Sequence, residues 1–147
     1  MGYNIDEIHF RNLINDTQVL TDKDFKNWNW NIIQDLIKGP LMNHKRLEET
    51  IKTTKFIKRI LSFYRPFSHQ FSDILKKKNV KNYVEIGCEL ITNLVAMSEG
   101  VRFLSENKFL QQISECLQQL DPVSLMIKKL YTNIYNLLLK IYIYIFM

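Results

Sequence analysis

The chain has 147 residues, 46% of them hydrophobic and 24% charged, with a formal net charge of +5. That is the make-up of an ordinary water-soluble globular protein, long enough for one domain with a real core. Only four glycines and three prolines punctuate it, so its elements are long, which sets aside a strand-rich sandwich and predicts an all-α fold.

No apolar run follows Met1, and Asp6-Glu7 stand where a secretory leader would be basic, so the start reads as cytosolic or nuclear. Ile5, Ile8, Leu13 and Ile14 give a loose helical stripe, with Asn4 placed to cap it. Thr21 and Asp24 resemble a capping box with the shorter acid, ahead of Phe25, Trp28, Ile32 and Leu36 at spacings of three and four. This predicts one helix, closed by Leu36, Ile37 and Lys38 before the Gly39-Pro40 break. On such a helix Trp28 and Trp30 lie about 200° apart and cannot enter the same groove. One of them must meet a second surface, as core packing or as an anchor for a partner.

Asn43 is positioned to cap a second pattern that runs to Tyr64, where Arg65-Pro66 stops it. Leu47, Ile51, Thr54, Ile57 and Leu61 form one stripe, and Phe56, Ile60 and Phe63 form another beside it. A face that wide fits a helix sandwiched between neighbours in a stack. Lys52, Lys55 and Arg59 share the remaining face, where like charges oppose the helix by a few tenths of a kcal/mol per pair. An acidic partner would relieve them. Twelve Lys and Arg lie between Lys38 and Lys81, against Glu48, Glu49 and Asp73. The plain reading is a solvated face; the functional one is a surface for an acidic partner, a phosphorylated segment, anionic lipid or nucleic acid, of which nucleic acid is not expected.

Residues 66–79 form a connector carrying Phe67, Phe71 and Ile74 and then Lys76-Lys77-Lys78. From Asn82 to Ser98, Val84, Gly87, Cys88, Ile91, Leu94 and Val95 repeat at helical spacing. Gly87 and Ala96 are small enough to admit a close neighbour, and Gly100 is expected to stop the helix. Val101, Phe103 and Leu104 make a short helix or turn, and Leu110, Ile113, Leu117 and Leu120 are a regular stripe ended by Asp121-Pro122. The tail from Leu130 is apolar in bulk, but a membrane span needs about 20 largely apolar residues. Asn133, Asn136 and Lys140 interrupt it, so an amphipathic last helix is favoured over an anchor.

No nucleophile stands beside a base, and no carboxylate pair or phosphate loop is present. Cys88 and Cys116 lack a CxxC partner and read as small buried hydrophobes, while His9, His44 and His69 fall in separate elements, which argues against a metal. No catalytic, cofactor or metal residue is assigned, and the chain reads as non-enzymatic. The candidate partner-binding residues are Lys52, Lys55, Arg59, Trp28 and Trp30.

Two stretches, WNWNIIQDLIKGPLMNHKRLEETIKTTKFIKRILSFYRPFSHQFSDI and YVEIGCELITNLVAMSEGVRFLSENKFLQQISECLQQLDP, resemble the armadillo-type helical region of the Rictor/Pianissimo family, the large regulatory subunits of TOR complex two. The resemblance runs from about Asp24 to Pro122. It implies a cytoplasmic, non-enzymatic scaffold that binds TOR kinase complex subunits and helps present AGC-family kinases, with roles in actin organisation and, in amoebae, chemotaxis. The expected organisation is an N-terminal segment at 1–20, an armadillo- or HEAT-like stack (a partial α-solenoid) at 21–122, and a divergent hydrophobic tail at 123–147. A closed helical bundle is the alternative fold. A membrane-associated adaptor using the tail or the basic patch, or a non-functional gene fragment, is the alternative function.

Overall fold

Side-chain caps set where the helices at Glu7, Trp30 and His44 begin, and the computed structural model describes residues 5–65, 80–109, 111, 112, 115 and 132. Among the described residues there are six α-helices and no strand: α1 (Glu7–Asp16), α2 (Trp30–Lys38), α3 (His44–Thr53), α4 (Phe56–Phe63), α5 (Val80–Val95) and α6 (Ser98–Glu106). Single 3-10 turns lie at Phe25–Asn27 and Pro40–Met42. The all-α expectation holds. The chain divides into two compact units, Met1–Phe63 and Tyr64–Met147.

In the first unit α1 is capped by Asp6, whose carboxylate accepts from the His9 N–H at 2.7 Å. The expected cap, Asn4, lies outside the described residues. The core face is Phe10 and Ile14, continued by the fully buried Thr17, whereas Ile8 is 75% exposed. Thr17 is satisfied there, donating to the Ile14 carbonyl and accepting from the Val19 N–H. Arg46 of α3 ties α1 down: it donates to the Ile5 carbonyl at 2.8 Å and lies 4.7 Å from the centre of the Phe10 ring.

Both long helices expected in this unit are interrupted, for one physical reason. Short polar side chains offer the backbone alternative hydrogen bonds that compete with the helical ladder. The run from Thr21 is no α-helix: Asp22 accepts from the Asp24 N–H at 2.9 Å, Asp24 from the Lys26 N–H at 3.0 Å, and Asn29 from the Ile32 N–H at 3.3 Å. The helix therefore starts only at Trp30, and its buried residues are Ile33, Leu36 and Ile37, with Ile32 partly exposed.

Asn43 caps α3 as expected, accepting from the Arg46 N–H at 3.1 Å. The pattern to Tyr64, expected as one helix, divides at Thr54, which is extended. Thr50, Thr53 and Thr54 each donate their hydroxyl to the carbonyl four residues back, and Thr54 also accepts from the Phe56 N–H. Past the break, α4 buries Phe56, Ile57, Ile60, Leu61 and Phe63. Of the two adjoining stripes read from the sequence, Phe56, Ile60 and Phe63 are all buried, whereas in the other Leu47, Ile57 and Leu61 are buried and Ile51 and Thr54 only partly so.

In the second unit Tyr64 is 1% exposed and its hydroxyl donates to the Tyr83 carbonyl at 2.5 Å. Its ring lies over Gly87, where an added Cβ would stand 2.8 Å from Cε1. Gly87 thus admits a close neighbour as expected. The interior face of α5 also includes Ile86, Leu90, Ile91 and Leu94. Arg65 is drawn into the same unit, donating to the Asn107 carbonyl at 3.0 Å and the Gln112 side-chain oxygen at 2.8 Å. The connector 66–79, Cys116, the stripe of Leu110, Ile113, Leu117 and Leu120, and all of the apolar tail except Thr132 lie outside the described residues.

Gly100 does not end a helix. It sits in the first turn of α6, where a Cβ would come within 1.9 Å of the Leu94 carbonyl oxygen. The corner between α5 and α6 closes only over a bare Cα. In an open helix Gly→Ala gains up to about 1 kcal/mol, but pushing a methyl into fixed backbone costs about 1–3 kcal/mol. Gly100→Ala is accordingly expected to lower the urea midpoint at unchanged m-value, and a raised midpoint would show that the corner yields.

Candidate functional site

The loop 17–24 has little regular structure, so its carbonyls must find partners elsewhere. The Asn29 N–H donates to the Thr17 carbonyl at 2.9 Å, and the Gln18 carbonyl takes the Asp22 N–H at 2.9 Å. Gln18 itself sits at φ 68°, in the left-handed region. From α4, the Arg59 Nη1 reaches the carbonyls of Val19 at 3.0 Å and Leu20 at 2.6 Å. The Trp28 indole N–H donates to the Asp22 carbonyl at 2.8 Å, and the Trp30 indole N–H to the Phe25 carbonyl at 3.1 Å.

An aromatic cluster lies beneath this clamp. Phe63 stands 5.0 Å from Phe25, 6.4 Å from Trp28 and 4.8 Å from Trp30, ring centre to ring centre, and the two indoles are 5.6 Å apart. Trp28 and Trp30 were expected to diverge, yet they converge. Trp28 precedes the helix in extended backbone (φ −73°, ψ 144°), so the helical-wheel angle does not apply. Trp28 is buried and Trp30 half-buried.

Lys52, Lys55 and Arg59 do not share a face of one helix. Lys52 ends α3 and pairs with Glu48 at 2.7 Å. Lys55 is exposed in the break, and Arg59 turns inward onto the loop. The like-charge stripe read from the sequence is therefore replaced by one paired lysine, one solvated lysine and one structural arginine. Arg46, Asp22 and Asn29 were missed as organising residues, and their caps and long-range bonds leave no periodic signal.

A cleft of about 660 Å³ opens in the first unit, lined by Glu7, Phe10, Arg11, Ile14, Arg46 and Glu49 among others. Its charges are largely occupied: Arg11 pairs with Glu7 at 2.7 Å, and Arg46 holds the Ile5 carbonyl. Among the described residues no group of three His, Cys, Asp or Glu is placed to hold a metal ion. Cys88 is a free, partly buried thiol, pushed up by burial and by the charges of Glu89 and Glu85, which keeps it from acting as a ready nucleophile.

This chain is 43% identical over 124 residues to the target of rapamycin complex 2 subunit ste20 of Schizosaccharomyces pombe, covering 84% of this chain and 10% of that protein. It is 44% identical over 115 residues to the target of rapamycin complex 2 subunit TSC11 of Saccharomyces cerevisiae, 77% of this chain and 8% of that one. Protein pianissimo A of Dictyostelium discoideum matches at 40% over 118 residues, 80% and 10% of the two chains. The chain belongs to the Rictor/Pianissimo family. No family model and no solved structure matches it. It spans about a tenth of the length of these curated relatives.

For this family member the clamp sets a clear expectation. A hydrogen bond to a charged donor is worth about 1.5–3 kcal/mol, so Arg59→Met, which also leaves two carbonyls without partners, is expected to cost about that much or more. Lys55→Ala, at a solvated position, is expected to stay within about 0.5 kcal/mol. Paired denaturant titrations followed by tryptophan emission check both values; equal effects at the two positions would show that Arg59 is not the clamp.

Proposed function

We propose that this chain is a non-catalytic helical module of a target of rapamycin complex 2 assembly, acting as scaffold or regulatory material in the TOR kinase complex. The observation that carries the reading is 43% identity across 84% of the chain to a protein named as a subunit of that complex. The geometry supports it from the other side. The arginines and tryptophans most suited to recognition are spent on the chain's own loop carbonyls, as in a packing module.

The two-sided burial of α4 supports the armadillo- or HEAT-like stack. Lys52 and Lys55 are the exposed members of the candidate contact set, and we assign them to the rim of a contact with an acidic segment of another subunit. Trp28, Trp30 and Arg59 serve that contact by holding the loop beside it. No helix among the described residues is long and apolar enough to cross a membrane. We propose a cytoplasmic position within the complex.

The test is affinity purification of the tagged full chain from the soluble fraction of cells. TOR complex 2 subunits are expected to co-purify, and Lys52→Glu with Lys55→Glu to reduce their recovery several-fold at low salt, where rim charges act most strongly. Recovery of the chain only after detergent extraction, with no complex subunits attached, defeats the reading in favour of a membrane adaptor.

A further inference from the structure

The loop 17–24 carries one exposed hydroxyl, that of Thr21, in the run Thr21-Asp22-Lys23-Asp24. We propose that Thr21 is a phosphorylation site for an acid-directed Ser/Thr protein kinase and that Arg59 receives the phosphate.

Three observations combine in this assignment. Thr21 is exposed and outside every helix, in a turn that its own N–H closes on the Gln18 carbonyl at 3.3 Å. Carboxylates follow at the first and third positions after it. Asp24 is exposed and Asp22 partly so, and although both accept local hydrogen bonds, they keep the negative charge that a basic substrate groove selects. Finally, a receiver is in place. Arg59 uses Nη1 alone for the Val19 and Leu20 carbonyls, leaving Nη2 and Nε to offer, and the Thr21 Cα is two covalent bonds from the Leu20 carbonyl carbon. Exposed Lys23 adds positive charge two residues after Thr21.

The plainer reading is a solvated turn whose hydroxyl only braces itself. Thr21 Oγ1 now donates to the Gln18 side-chain oxygen at 3.0 Å. In the transfer, Oγ1 attacks the γ-phosphorus of a nucleoside triphosphate, the new O–P bond forms, the bond to the diphosphate leaving group breaks, and the hydroxyl proton passes to the kinase's catalytic carboxylate. The donor to Gln18 is lost and a group of charge about −2 with strong acceptor oxygens replaces it. Asp22 repels that group and Arg59 attracts it, so the guanidinium decides where it settles.

The full chain, folded and purified, is incubated with an acid-directed kinase and magnesium ATP and mapped by mass spectrometry. One phosphate is expected on Thr21, absent from Thr21→Ala and at least tenfold slower to appear in Asp24→Asn, which keeps a capping oxygen but loses the charge. The second ionisation of the phosphate is then followed by phosphorus NMR. It is expected to lie below the phosphothreonine value of about 6 in the folded chain and to return to it in Arg59→Gln. Should that variant fail to fold, the urea-unfolded phosphorylated chain supplies the reference. A folded chain that takes no phosphate on Thr21 overturns the site, and an ionisation unchanged by folding overturns Arg59 as its receiver. Neither result depends on whether the chain enters a TOR complex.

Discussion

The constraint on which the first unit turns is that an irregular loop cannot bury its carbonyls unpaired. Arg59 answers it from forty residues away, with one nitrogen between the Val19 and Leu20 oxygens. Guanidinium suits the task because it presents several donors in a fixed plane and is less strongly hydrated than an ammonium. With the loop held, the Asp22 and Phe25 carbonyls are where the two indole N–H groups meet them. The rings below those donors can then crowd onto Phe63. Clamp and aromatic cluster are one arrangement.

Arg59 faces the loop only because the helix before it ends. If α3 ran on through Thr54, the register of everything after it would be that of one continuous helix. Three threonines returning hydroxyls to the carbonyls four residues back, and the extended backbone of Thr54, reset that register. The same competition between side chain and ladder delays α2 to Trp30. Asp, Asn and Thr thus shape the clamp by setting where its helices begin and end.

The second unit relies on close approach instead. Tyr64 lies over Gly87, and the Leu94 carbonyl meets the bare Cα of Gly100. Arg65, whose ionisation burial lowers, reaches the Asn107 carbonyl and Gln112. Adjacent residues Tyr64 and Arg65 therefore fasten to α5 and to the turn after α6. These contacts give the described part of the unit a defined interior, with Arg102 paired to Glu99 and Glu106 on its exposed side.

Helical class, the Gly39-Pro40 break, the Asn43 cap and the apolar residues that α4 buries were legible in the sequence, because periodicity, glycine, proline and caps act over a few residues. The family was legible too, since its long motifs survive as contiguous text. Helix interruptions at Asp22 to Asn29 and at Thr54 were not, because each is a contest between local hydrogen bonds and helical ones that composition leaves close to even. The placements of Trp28, Trp30 and Arg59 differ from the expectation for a related reason. A wheel assumes one helix, and a basic side chain looks solvated until a carbonyl forty residues away is brought beside it. Only the tertiary structure could decide that, since the part-buried carbonyls of Val19 and Leu20 create the need that Arg59 meets.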